Sequence, residues 1–141
     1  MTQQAKQAVR PAMQEETSLQ LDEIGQIALT AGDLSRARNF YQNILGMKLL
    51  FEAGGMIFFQ CGAIRLLIGT AAESGPVGGT ILYFKVPDLK AVHGSLQAKG
   101  VEFVQPPHLV ARMPDHELWI AFLKDSEGNT LGLMSELRQP L

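Results

Sequence analysis

The sequence predicts an α+β protein built from two βαβββ modules in tandem. Three observations predict it. The first is an internal repeat. The stretch QIALTAGDLSRARNFYQNILGMKLL (26–50) aligns with ILYFKVPDLKAVHGSLQAKGVEFV (81–104). Leu29 then lies over Phe84, Asp33-Leu34 over Asp88-Leu89, Ala37 over Val92 and, after a one-residue slip, Gly46 over Gly100. A period of about 55 residues in two copies is too long and too few for a solenoid, and reads as two fused units. The second is the change within each copy from alternating to helical apolar spacing. The third is punctuation: an Asp that can cap a helix before each helical stretch, and a glycine after it.

Residues 1–22 are rich in Gln and poor in large apolar side chains, and are expected to form a tail outside the core. The domain is expected over 23–137, with module one at 24–69 and module two at 79–136. Alternation predicts the first strand at 24–30. Asp33 caps a helix whose Leu34, Ala37, Tyr41, Ile44 and Leu45 keep helical spacing, and Gly46 closes it. Strands are expected at 47–52, 56–61 and 64–69, and 70–79 links the modules. Module two repeats the order: a strand at 79–86, Asp88, a helix carrying Leu89, Val92 and Leu96, and Gly100. Strands at 101–105, 117–124 and 130–135 complete it. The Pro-rich stretch 106–117 between the first two of these is expected to be a mobile loop that gates a ligand. DSEGN (125–129) is a turn.

Composition narrows the partners. At 141 residues the chain fits one domain with a core. A net charge of −2 gives no basic excess for nucleic acid. No apolar run approaches the ~18–20 residues that span a bilayer. There is no apolar leader, so a cytoplasmic protein is expected. The lone Cys61 excludes an intramolecular disulfide and is expected to be a small buried apolar residue. No nucleophile–base pair, phosphate loop or thiol motif is present.

Over residues 24–136 the pattern resembles the vicinal oxygen chelate superfamily, the group of glyoxalase I, bleomycin-resistance proteins, fosfomycin-resistance enzymes and extradiol dioxygenases. QIALTAGDLSRARNFYQNILGMKLL is similar to its opening strand and helix, and ILYFKVPDLKAVHGSLQAKGVEF to its second-module opening. FLKDSEGNTLGLM is similar to its D-P-D-G-N-x-x-E-L ending. The resemblance implies eight strands curled into an open cup, helices outside and the ligand within. Alternation then turns Gln26, Ala28 and Thr30, then Ile81, Tyr83 and Lys85, and finally Thr130, Gly132 and Met134 toward the cup. Family spacing adds Leu118, Ile120 and Phe122, with His116 at the mouth and Trp119 in the core.

The resemblance also implies four metal-ligand positions, which fall on Gln26, Ile81, Gly132 and either Leu66 or its neighbour Leu67. Only Gln26 carries a donor, and one amide does not hold a divalent ion against its hydration shell. No metal and no cofactor are therefore expected. Gly132 stands where relatives carry Glu. Either it leaves room for an organic ligand, or it relieves crowding against Tyr83 or Met134. The expected ligand-binding residues are Gln26 (as a buried amide), Ile81, Tyr83, His116, Ile120, Phe122 and Gly132. His108 and His116, with Asp115 and Glu117, form an alternative metal or acid/base group; His93 is expected to face solvent. The reading is a small-molecule binding protein, a homodimer, holding a partly apolar ligand without metal. The alternatives are a metal-dependent lyase or dioxygenase with displaced ligands, a metal-free isomerase or lyase, and a partner-binding module with a vestigial cup.

Overall fold

The structure, a computed structural model, describes residues 19–74 and 77–138. Most of the expected tail therefore lies outside the described residues. β1 (Gln26–Thr30) leads into α1 (Leu34–Asn39), which continues as a π-helical turn, Phe40–Ile44. β2 (Lys48–Ala53), β3 (Met56–Cys61) and β4 (Ile64–Gly69) follow. A short helix, α2 (Ala71–Ser74), stands in the linker. The second module is β5 (Leu82–Lys85), α3 (Leu89–Ala98), β6 (Phe103–Arg112), β7 (His116–Lys124) and β8 (Thr130–Arg138). Each module forms a four-stranded mixed sheet of the same topology, β1-β4-β3-β2 and β5-β8-β7-β6. This is the α+β two-module fold that the repeat predicts. No described helix is long and apolar enough to cross a membrane.

The helix signals act as read. The Asp33 carboxylate accepts from the Arg36 N–H at 3.0 Å and that of Asp88 from the Ala91 N–H at 3.1 Å. Gly46 and Gly100 close their helices at φ +75 and +85, the left-handed region where a Cβ is unfavourable. The first helix departs from regular spacing after Asn39. The Leu45 N–H reaches back five residues to the Phe40 carbonyl at 2.9 Å, and this wider turn brings consecutive Phe40 and Tyr41 both into the core.

Residues 106–112 are not a loop. They belong to β6, which pairs with β7 as far as Arg112↔Glu117, and the hairpin closes where the Met113 N–H meets the His116 carbonyl at 2.8 Å. Two features let prolines into this strand. β6 is an edge, and its register slips between Gln105 and His108, so Pro106 and Pro107 fall where no ladder donor is needed. A mobile gate at 106–117 is thus replaced by a paired ribbon.

The modules meet through their helix sides. Leu29, Ala37, Tyr41, Ile57, Phe59, Leu66 and Ile68 of the first share one buried cluster with Leu89, Leu96, Ala121, Leu123, Leu131 and Leu133 of the second. Cys61 packs against it half-buried, as does Trp119. A polar tie crosses the same seam. Buried Asp125 accepts from the Tyr41 hydroxyl at 2.6 Å, the Asn129 side-chain amide at 2.7 Å and the backbone N–H groups of Glu127 and Asn129 at 2.8 and 2.7 Å. Asn129 also donates to the Thr30 carbonyl at 2.8 Å. Beside it, Glu127 accepts from the backbone N–H groups of Gly32 and Asp33, both at 2.9 Å, from Arg36 Nε at 2.7 Å and from the Ser126 hydroxyl at 2.8 Å. The 125–129 turn of module two is thereby fastened to the start of α1 in module one.

Tyr41→Phe removes one of four donors to a buried carboxylate. It should lower the unfolding free energy by about 1–2 kcal/mol, measured by urea denaturation.

Glu127 sets an acid limit. Burial by itself raises its pKa, but the bonds from Arg36, the Asp33 N–H and Ser126 outweigh that and hold it at about 2, below the ordinary 4.5. A depressed carboxyl contributes stability that is complete above the unfolded-state pKa and lost as pH falls through the folded one. Melting temperatures should therefore decline from pH 4.5 toward 2, and Glu127→Gln should flatten that part of the profile while lowering stability at pH 7.

Candidate functional site

Strand register assigns every side chain of the two sheets to a face. In the first sheet Gln26, Arg65, Gln60 and Lys48 form one row across β1, β4, β3 and β2, on the side opposite the core. The next row on that side is Ala28, Leu67, Phe58 and Phe51. In the second sheet the matching rows are Tyr83, Gly132, Phe122 and Gln105, then Lys85, Met134, Ile120 and His108. Ile120 and Phe122 thus share a face with Tyr83 and Gly132, the side that the family resemblance implies. Ile81 lies just before β5.

The register also separates Leu66 from Leu67. Leu66 is in line with Ile27, 1% exposed on the helix side, whereas Leu67 is in line with Ala28 on the cup side. Gly132 stands in the same relation to Tyr83. Leu67 is therefore the first-module counterpart of Gly132, as Gln26 is of Ile81.

Gly132 is in direct contact with Tyr83. A Cβ at position 132 would sit 2.6 Å from Tyr83 Cδ2 and 3.1 Å from its Cγ. The place of a longer side chain is filled by the phenol ring, which also meets Phe122 edge-on at 5.7 Å between centroids. Of the two readings of Gly132, the relief of crowding against Tyr83 is the one the geometry supports. Tyr83 remains 47% exposed and Ile81 40%. Both help line a cavity of about 240 Å³ where β5 adjoins Ile27, Cys61 and Leu66 of the first module.

Gln26 is exposed, not a buried amide. It opens an edge strand, and the rest of the row it heads, Arg65, Gln60 and Lys48, is exposed as well. The four implied metal positions thus hold one exposed amide, two aliphatic side chains and a glycine under an aromatic ring. This donor set does not fit a divalent ion, which takes several oxygen, nitrogen or sulfur ligands. Among the described residues no group of three or more His, Cys, Asp or Glu side chains gathers elsewhere to replace it.

The histidines do not converge. His116 Nδ1 donates to the Asp115 carboxylate at 2.8 Å, and this bond lowers the Asp115 pKa. Glu117 points to the other face of β7. There it accepts from the Trp119 indole N–H and from Arg112 Nε, both at 3.1 Å, and these bonds lower its pKa. His108 Nδ1 donates to the Pro106 carbonyl at 3.0 Å, farther along the hairpin. His93 is half-buried rather than solvent-facing: its ring meets Phe103 edge-on at 4.4 Å, because α3 lies over the start of β6.

Sequence reasoning placed Gln26 and Ala28 on the first-module face but missed its aromatic pair and Arg65. Phe51 and Phe58 stack at 4.4 Å between centroids, and the Arg65 guanidinium lies 5.9 Å over the Phe58 ring. Alternation in 47–52 did not reveal Phe51, because a bulge between Leu49 and Phe51 shifts it onto the same face as Phe58.

The family model described as Glyoxalase/Bleomycin resistance protein/Dioxygenase superfamily matches residues 23–133. No curated protein matches the chain. Among solved structures, a lactoylglutathione lyase from Agrobacterium tumefaciens is similar at 23% identity and TM-score 0.68, over 80% of this chain and 92% of that one. A glyoxalase/bleomycin resistance protein/dioxygenase from Alicyclobacillus acidocaldarius is similar at 19% identity and TM-score 0.65, over 82% and 92%. TnmS3, an antibiotic-binding protein from a Streptomyces species, is similar at 21% identity and TM-score 0.67, over 84% and 99%. At these identities the likeness establishes the fold.

Gly132→Ala should push the Tyr83 ring off Phe122 and cost about 1–3 kcal/mol, the usual range for overpacking. Thermal melts measure the loss, and Tyr83–Phe122 ring-current shifts report the displacement.

Proposed function

The chain belongs to the glyoxalase/bleomycin resistance protein/dioxygenase superfamily, and we propose that it is a cytoplasmic, homodimeric small-molecule binding protein that works without a metal at the superfamily's usual position. The observation that carries this is the Tyr83 ring seated on Gly132. A carboxylate ligand cannot be restored there without displacing an aromatic pair. Since neighbours of the same fold are named both as a lyase and as an antibiotic-binding protein, the fold does not decide between chemistry and binding. The residues present favour binding: Gln26, Ile81, Tyr83, Ile120 and Phe122 supply apolar and aromatic area with few polar groups, the make-up of a site for a partly apolar molecule. His116 contributes an imidazole at the end of the same face.

Two features support the dimer. Small-molecule sites usually bury about 70–90% of their ligand, whereas Gln26, Ala28, Ile81 and Tyr83 stand exposed in the single chain. β1 and β5 are also edge strands of their sheets. A second copy set against these edges covers both, and a two-fold arrangement does so with one surface used twice.

Protein purified without chelator should contain less than about 0.1 equivalents of Zn, Ni, Mn or Fe, as one donor in four positions requires; stoichiometric metal lost on Gln26→Ala would overturn the reading. Sedimentation at micromolar concentration should give the mass of two chains, and a monomer would remove the dimer.

A further inference from the structure

The cup-side charge of the first sheet is of one sign. The sequence has 14 acidic against 12 basic residues. Yet the outward row of that sheet is Gln26, Arg65, Gln60 and Lys48, with no acid on this face of any of its strands. The acid of β2, Glu52, is in register with Ile57 on the opposite face, where it pairs with Arg38 Nη1 at 2.6 Å. Among the described residues neither Arg65 nor Lys48 has a carboxylate partner. On the second sheet the one acid of the cup side, Glu136, is already taken by Lys85 at 3.0 Å.

Directly beside this row is an aromatic platform. Phe51 and Phe58 stack with an interplanar angle of 20°, and Phe51 is still 45% exposed. Arg65 reaches over Phe58, its guanidinium carbon 5.9 Å from the ring centroid, and among the described residues no carboxylate takes its N–H groups. A flat ring that extends the Phe51–Phe58 stack gains offset-stacking and apolar contact. A carboxylate, sulfonate or phosphate on that ring falls next to Arg65 and Lys48, where a charge-assisted, two-point bond to guanidinium is the strongest polar contact on offer.

We propose that the ligand of this protein is an organic anion with an aromatic body, its ring on the Phe51–Phe58 stack and its charge on the Arg65–Lys48 row. This rests on the small-molecule reading above and narrows it to one chemical class. It excludes cationic drugs, which the same row repels.

The test uses three naphthalene probes of one shape: the carboxylate, the neutral carboxamide and the methylammonium. Each is titrated at low salt by calorimetry and by saturation-transfer NMR into wild type, into Lys48→Gln/Arg65→Gln, and into the charge-matched control Lys90→Gln/Lys99→Gln. Wild type should bind the carboxylate at least about ten-fold tighter than the carboxamide, a difference of about 1.4 kcal/mol, with the methylammonium weakest. The Lys48/Arg65 variant should lose that preference and keep its carboxamide affinity, and the control should keep both. Melting curves confirm that the variants fold. Equal binding of carboxylate and carboxamide to wild type overturns the anion assignment and leaves the small-molecule reading standing. Retention of the preference in the Lys48/Arg65 variant overturns the placement. Failure of all three probes overturns both readings. Tight binding of oligothymidylate without binding of the carboxylate would make the face a polyanion surface and overturn the proposal as well.

Discussion

Everything else in this fold depends on how the 125–129 turn is held. Each module buries one sheet face under a short helix, and α1 has only six regular residues before its π turn. Isolated helices of that length are not stable in water. Glu127 of module two sits just before α1, accepting from the N–H of its N-cap Asp33 and of the preceding Gly32 and binding Arg36 in its first turn. Asp125 then anchors the π turn through Tyr41. Neither carboxylate belongs to the module it stabilises. Removing one partner would leave a buried charge under-satisfied, which costs more than the net worth of the bond itself. The two modules therefore fold against each other, with the joint made by chemistry and not by apolar area alone.

That joint explains what could be read in advance. Helix starts and stops were legible because their causes are local: Asp33 and Asp88 bond three residues ahead, and Gly46 and Gly100 need only their own φ. Strand faces were legible where alternation is clean, as at Tyr83 and Gly132; in 117–124 both faces are apolar, and only the spacing implied by the family resemblance turned Ile120 and Phe122 toward the cup. The clamp was not, because Asp125 and Tyr41 are 84 residues apart and a turn-rich DSEGN reads as a turn whether or not its side chains face inward. The 106–117 ribbon failed for a related reason. Proline reads as a breaker, and its tolerance depends on lying at an edge beside a bulge, which is a property of the sheet. Gln26 lines a cup face without being enclosed by it, a difference that alternation along a strand does not carry.

The Gly132 position separates inheritance of a fold from inheritance of its chemistry. A strand glycine is usually a cost, since it packs nothing and orders more backbone. Here the cost is offset by the Tyr83 ring, which fills the vacancy and joins Phe122. The equivalent place in the first module, Leu67, is also apolar and 7% exposed. Both last-strand positions have thus become packing positions, one by a large aliphatic residue and the other by a neighbour leaning over a small one.

The two cup faces have diverged from one pattern in different directions. Superposed by register, Ala28 answers to Tyr83, Leu67 to Gly132 and Phe58 to Phe122. The second face has put its bulk on the first strand, over its glycine. The first face keeps an alanine there and carries its bulk on the outer strands, as the Phe51–Phe58 stack. The polar groups differ less: the first face carries Arg65, Lys48 and two amides, and the second carries, besides the Lys85–Glu136 pair, Lys124 bonded to the Thr130 hydroxyl, and Arg138 in line with His116. What the first face has that the second lacks is a guanidinium set against its own aromatic stack, Arg65 over Phe58.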